Sequence, residues 1–79
     1  MTTITKGVTG TDVKILQACF RMLQITDGNN KPIEITGKAD TCLIQAINKF
    51  QMIQGAYGYP CGNGDSSFGP ACWRRLLGV

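Results

Sequence analysis

The sequence predicts an all-α fold, a compact three-helix bundle with long ordered loops, on three observations. Apolar residues recur at helical spacing in three separate segments. Loops dense in Gly, Asn, Asp and Pro divide those segments from one another. The chain has 79 residues, 43% of them hydrophobic. That length and composition fit one globular domain over residues 1–79, with a core spanning about 7–77.

The first helix is predicted from about Thr11 to Gln24. Val13, Leu16, Phe20 and Leu23 fall on one face, and Ile15, Cys19 and Met22 widen that stripe. Asp12, Lys14, Gln17 and Arg21 lie largely outside it. Thr11 is the expected N-cap, and Asp12 suits the positive end of the helix. The turn-rich run Asp27-Gly28-Asn29-Asn30-Lys31-Pro32 follows. Ile33-Glu34-Ile35-Thr36 then alternates like a short extended piece.

The second helix is predicted from about Asp40 to Gln54, with Leu43, Ala46, Ile47, Phe50 and Ile53 or Gln54 on the apolar face. Asp40 or Thr41 is the cap, and Gly55 the expected stop. The segment from Gly55 to Gly69 is rich in Gly, Tyr and Asn and longer than an ordinary connection, and such loops often carry function. The third helix is short. Pro70 suits its first turn, Cys72, Trp73, Leu76 and Leu77 form its apolar face, and Gly78 ends it. The entries to the second and third helices, Gly37-Lys38-Ala39-Asp40-Thr41-Cys42 and Gly69-Pro70-Ala71-Cys72, hint at a degenerate internal duplication.

Composition argues against several function classes. The chain has no His, so the commonest general base is missing, and a Cys nucleophile lacks its usual imidazole partner. Asp12, Asp27, Glu34, Asp40 and Asp65 are too dispersed in sequence to suggest a carboxylate pair. No phosphate-binding or dinucleotide-binding glycine pattern occurs. The expectation is therefore a protein that is not an enzyme and takes no cofactor. Cys19, Cys42, Cys61 and Cys72 contain no C-x-x-C pair, which argues against a metal site. Two readings of the cysteines stay open: disulfides in an oxidising compartment, or free thiols acting as small hydrophobes.

The net charge of +3 favours a polyanionic partner without demanding one. Its basic residues are scattered, which argues against nucleic acid. No apolar run approaches membrane-spanning length, and Met1-Thr2-Thr3-Ile4-Thr5 does not look like a signal peptide. A soluble chain without membrane attachment is expected, carried to any site in the cell envelope by another agent.

Three pieces in order carry a resemblance. Gly7-x-x-Gly10-x-Asp12-Val13-x-x-Leu16-Gln17 resembles the opening of the peptidoglycan-binding domain family. Ala46-Ile47-x-x-Phe50-Gln51 resembles its central stretch, and Phe68-Gly69-Pro70-Ala71-Cys72-Trp73-x-x-Leu76 its close, with Cys72 where the family usually has Thr. The resemblance spans nearly the whole chain. It implies a three-helix, non-catalytic module that binds bacterial cell-wall peptidoglycan, by glycan strand or stem peptide. Such a module targets a separate or fused wall-active enzyme, a phage component or a secreted effector, and works at the cell envelope or after secretion or phage delivery. A protein–protein adaptor on the same fold is the alternative, with a lytic enzyme, phage protein or secretion-system protein as partner.

Leu16, Phe20, Ile47, Phe50 and Leu76 read as core. Gln17 and Gln51 read as side chains that bond loop backbone and lock helix ends. The candidate ligand-binding residues are Tyr57 and Tyr59, which flank Gly58 in a loop where packing alone does not require two aromatics. Asn63 and Asp65 are placed to bond amides or hydroxyls, Trp73 to stack, and Arg74 to pair with a stem-peptide carboxylate.

Overall fold

The computed structural model describes residues 2–59, residue 61 and residues 66–78. Three helices form where the apolar spacing places them: α1 (Thr11–Met22), α2 (Thr41–Ala56) and α3 (Pro70–Leu77). Among the described residues there is no strand, only isolated bridges pairing Ile4 with Phe68, Thr9 with Lys38, and Thr26 with Pro32. The architecture is an all-α three-helix bundle. None of its described helices is long and apolar enough to cross a membrane.

Helix ends differ from expectation for local reasons. Gly10, not Thr11, caps α1, at a φ of 127° that side chains other than glycine rarely adopt. Asp12 follows in the first turn and accepts the Thr2 N–H at 2.8 Å, which ties the N-terminal segment to α1. The helix stops at Met22, before the predicted Gln24, which turns into the left-handed region at φ 60°. Asp40 caps α2 as expected, its carboxylate accepting from Leu43 N at 3.0 Å. An N-cap of this kind contributes about 1 kcal/mol. Gly55 does not stop α2. The helix runs through it to Ala56, and Gly58 supplies the left-handed turn at φ 84° that lets Tyr59 N reach Gln54 O. Pro70 opens α3 and left-handed Gly78 closes it, as predicted. Residues 33–36 remain unpaired coil rather than strand.

An aromatic chain runs through the core. Phe20 of α1 lies 5.6 Å from Phe50 of α2, both rings contact Phe68, and Phe68 meets Trp73 of α3 edge-on at 4.9 Å. Each such pair adds roughly 1 kcal/mol to what area burial supplies. Ile4, Val13, Leu16, Ile33, Ala39, Leu43, Ala46, Ile47 and Cys72 complete the buried cluster, and Leu76 packs against it half-buried. The widened α1 stripe is a correction. Ile15, Met22 and Leu23 are exposed, Met22 at 84%, Cys19 is half-buried, and Met22 and Leu23 stand where α1 ends. Gln17, placed outside the stripe by its polarity, is 1% exposed.

Gln17 is buried because it satisfies backbone groups. Its Oε1 accepts from Thr36 N at 2.9 Å and Gly37 N at 2.8 Å, and its Nε2 donates to Thr36 Oγ1 and Lys38 O. Gln51 repeats the device one helix later, donating to Ser67 O at 2.6 Å and to Cys72 Sγ. Each glutamine pins the chain leading into the next helix, the locking role read from sequence. The N-terminal segment braces both of these approaches: Gly7 and Val8 bond Ala39, and Ile4 bonds Phe68 in both directions.

No disulfide joins any of the four cysteines. Cys72 is buried, and its thiol donates to Cys61 O at 2.8 Å. Of the two readings left open by sequence, the structure holds the free-thiol one.

Candidate functional site

Among the described residues, the two ends of α2 each gather groups with the chemistry to hold a ligand. A helix of 16 residues puts them roughly 24 Å apart.

At the C-terminal end, the turn through Gly58 presents both tyrosines to solvent. Tyr57 is 75% exposed and Tyr59 is 52% exposed. The Arg75 guanidinium of α3 lies over the Tyr59 ring at 3.9 Å, and Arg75 Nε donates to Gln54 Oε1 at 3.3 Å. A stacked cation of this kind contributes about 0.5–1 kcal/mol at an exposed site. It also orders two side chains that would otherwise sample many rotamers. Arg74 is exposed in the same last turn of α3. Among the described residues neither arginine has an acidic partner.

The six sequence candidates do not all assemble there. Tyr57 and Tyr59 form the exposed patch. Asn63 and Asp65 lie outside the described residues. Trp73 is corrected: it is 3% exposed, its ring is packed on Phe68, and its Nε1 donates to Thr2 O at 2.8 Å. A ring so enclosed has no face left for stacking a ligand. Of the arginine pair, Arg75 rather than Arg74 engages a tyrosine. Adjacent residues on a helix point about 100° apart, and the apolar spacing of so short a helix does not fix which of two neighbours faces the loop.

At the N-terminal end of α2 a pocket of about 220 Å³ is lined by Asp27, Lys31, Glu34, Asp40 and Cys42, among others. Three of the five acids thus meet there, which their spacing in sequence does not reveal. Two of them serve the backbone. Asp40 is the α2 cap, and Asp27 Oδ1 accepts from Asn29 N at 2.8 Å and Lys31 N at 3.0 Å. The Lys31 N–H in particular holds the Asp27 carboxyl below its ordinary range, with Asn29 N–H and the Cys42 thiol adding to it. The hydrogen bond to Asp27, then partial desolvation and the charges of Asp27, Asp40 and Glu34, push the Cys42 thiol up. That is the reverse of what a nucleophilic cysteine needs, since reactivity requires thiolate.

The loop forming this pocket is anchored from α2. Lys49 Nζ donates to Thr26 Oγ1 at 3.0 Å, to Asp27 O and to Asn30 Oδ1, and Gln45 Oε1 accepts from Gly28 N at 2.9 Å. Lys49 and Gln45 are functional in the structural sense, and their signal in sequence is only a polar flank on α2. Among the described residues no group of His, Cys, Asp or Glu is arranged to hold a metal ion.

Neither a protein-family profile nor any curated protein or solved structure matches this chain, so the site is read from its own geometry.

Proposed function

We propose that this chain is a non-catalytic module that binds bacterial cell-wall peptidoglycan through the Tyr57–Tyr59 turn. In this role it targets a wall-active enzyme, a phage component or a secreted effector to the polymer. The carrying observation is the pair of exposed tyrosines on a hydrogen-bonded turn with an arginine stacked beside them. Aromatic rings give sugars and peptide planes a large contact at little entropic cost, because only two χ angles need fixing. Free carboxylates of stem peptides suit the arginine stacked on Tyr59. The family-like positions support the reading too, since Gln17, Gln51 and Phe68 each perform a scaffold task here. Tethering of this kind raises local concentration and needs no chemistry of its own.

The test is co-sedimentation of the purified protein with isolated sacculi at low salt. The wild type is expected in the pellet. Tyr57→Ala with Tyr59→Ala should release it to the supernatant while the melting temperature shifts by no more than a few degrees, since both side chains are largely exposed. A wild type that stays in the supernatant refutes wall binding. A protein–protein adaptor is the second reading, favoured by the apolar side chains Ile15, Met22 and Leu23 that α1 leaves exposed.

A further inference from the structure

We infer that Arg75 is the residue of this patch that recognises negative charge, and that the group it takes is a free carboxylate of a stem peptide rather than the glycan. The inference rests on the wall-binding reading above and narrows it to one moiety and one side chain.

Three observations carry it. First, Arg75 is held in place before any ligand arrives. One face of its guanidinium covers the Tyr59 ring at 3.9 Å, and its Nε is committed to Gln54 Oε1. Second, those two contacts use the face and the Nε, and leave the terminal Nη1–Nη2 edge without a partner among the described residues. That edge is a planar fork, whose two parallel N–H donors match the two oxygens of a carboxylate. A neutral sugar hydroxyl uses only one of them. Third, among the described residues the charge neighbouring Arg75 is of one sign. Arg74 adjoins it, while Asp27, Glu34 and Asp40 gather at the far end of α2 and Asp12 is engaged with Thr2.

Tyr59 and Gln54 therefore act as positioning residues for the fork, and exposed Tyr57 supplies the apolar contact beside it. Arg74 has equal charge but no such support. Preorganisation is the difference between them, because an unsupported arginine must lose its rotamer freedom on binding.

The experiment compares native sacculi with the same sacculi after their carboxylates are converted to amides by carbodiimide coupling. Wild-type binding is expected to fall on the order of tenfold on amidation, the effect of losing one charge-assisted bidentate contact. Arg75→Gln should lose a similar factor on native sacculi and become indifferent to amidation. Arg75→Lys, which keeps the charge and removes the fork, should recover only part of the loss. Arg74→Gln should bind nearly as the wild type does. Circular dichroism melts confirm that each variant is folded, and the amidation arm needs no variant at all. Binding by the wild type that is unchanged by amidation overturns the inference while leaving wall binding intact. So does a loss that follows Arg74 instead of Arg75. Failure of the wild type to bind either preparation refutes wall binding, and the inference with it.

Discussion

The two ends of α2 are built from similar residues and used differently. At its N-terminal end, charged and amide side chains turn inward: Asp27 and Asp40 accept backbone N–H groups, Lys49 donates into the loop, and Gln17 accepts from Thr36 and Gly37 on the approach to α2. At its C-terminal end the aromatic and cationic groups turn outward, with Tyr57, Tyr59 and Arg75 stacked or exposed. The N-terminal end has the concave, charged pocket, yet two of its carboxylates, Asp27 and Asp40, are already bonded to backbone N–H groups. The convex tyrosine patch has donors and ring faces to spare. Spare hydrogen-bonding capacity, more than concavity, separates a surface able to bind from one occupied with holding itself together.

The strongest way to break this contrast is to remove Gln17. Gln17→Ala strips the acceptor from two backbone N–H groups, Thr36 and Gly37, and empties a buried side chain. Leaving buried donors unsatisfied costs about 1–3 kcal/mol for each group, so a loss of about 3 kcal/mol is expected in urea denaturation. Sacculus binding by the fraction still folded should remain near wild type, because the tyrosine turn hangs from Gln54 and not from Gln17. A loss under about 1 kcal/mol would mean that water replaces the amide, and that the first loop is not closed as described.

That experiment also marks where the sequence was legible. Periodicity located all three helices, since helical spacing puts Val13, Leu16 and Phe20, then Leu43, Ile47 and Phe50, then Cys72 and Trp73, on buried faces. Caps were legible where a side chain does the capping, as at Asp40, and missed where backbone freedom does it, as at Gly10 and Gly58. The glutamines were read from their place in the resemblance. Polarity alone assigns Gln17 to the solvent side, because its burial depends on partners 19 and 20 residues away. The site was half legible for the same reason. Tyr57 and Tyr59 are exposed by the local turn, whereas the Arg75–Tyr59 stack and the meeting of Asp27, Glu34 and Asp40 are products of tertiary packing. Trp73 misled, since an aromatic in an amphipathic helix serves core and surface equally well until its neighbours are known.

A smaller effect sharpens the account of the first loop. Lys49→Met keeps the aliphatic stem and removes the ammonium that joins Thr26, Asp27 and Asn30 to α2. Its site is partly open to solvent, so a loss of about 1–2 kcal/mol is expected, toward the low end for a charged hydrogen-bond donor. Hydrogen exchange should localise the change. Amides of residues 28–31 should exchange faster, while Tyr57 and Tyr59 keep their wild-type rates. Acceleration at both ends would show that the two regions unfold as one cooperative unit and are not separable.

The mildest perturbation is protonation. Asp27 is held below its ordinary value of 3.8, chiefly because the Lys31 N–H bonds its charged form. A depressed folded value means that the unfolded chain binds a proton first as pH falls. Stability from Asp27 is thus fully present above about pH 4 and is lost as pH drops through 3.8 and past the folded value. Melting temperatures taken from pH 5 to pH 2 should decline with a slope that Asp27→Asn reduces, since asparagine keeps the acceptor oxygen but no longer titrates. Asp12 is depressed in the same direction by the Thr2 N–H, so part of the slope should survive in Asp27→Asn and fall further when Asp12→Asn is added. The same Asp27→Asn change offers a second readout in the pocket. Without the carboxylate that pushes its thiol up, Cys42 should be alkylated faster near pH 8, as followed by mass spectrometry of its peptide. A slope and an alkylation rate both unchanged would mean that Asp27 is not charged against the loop, and the inward-turned half of the comparison would fail.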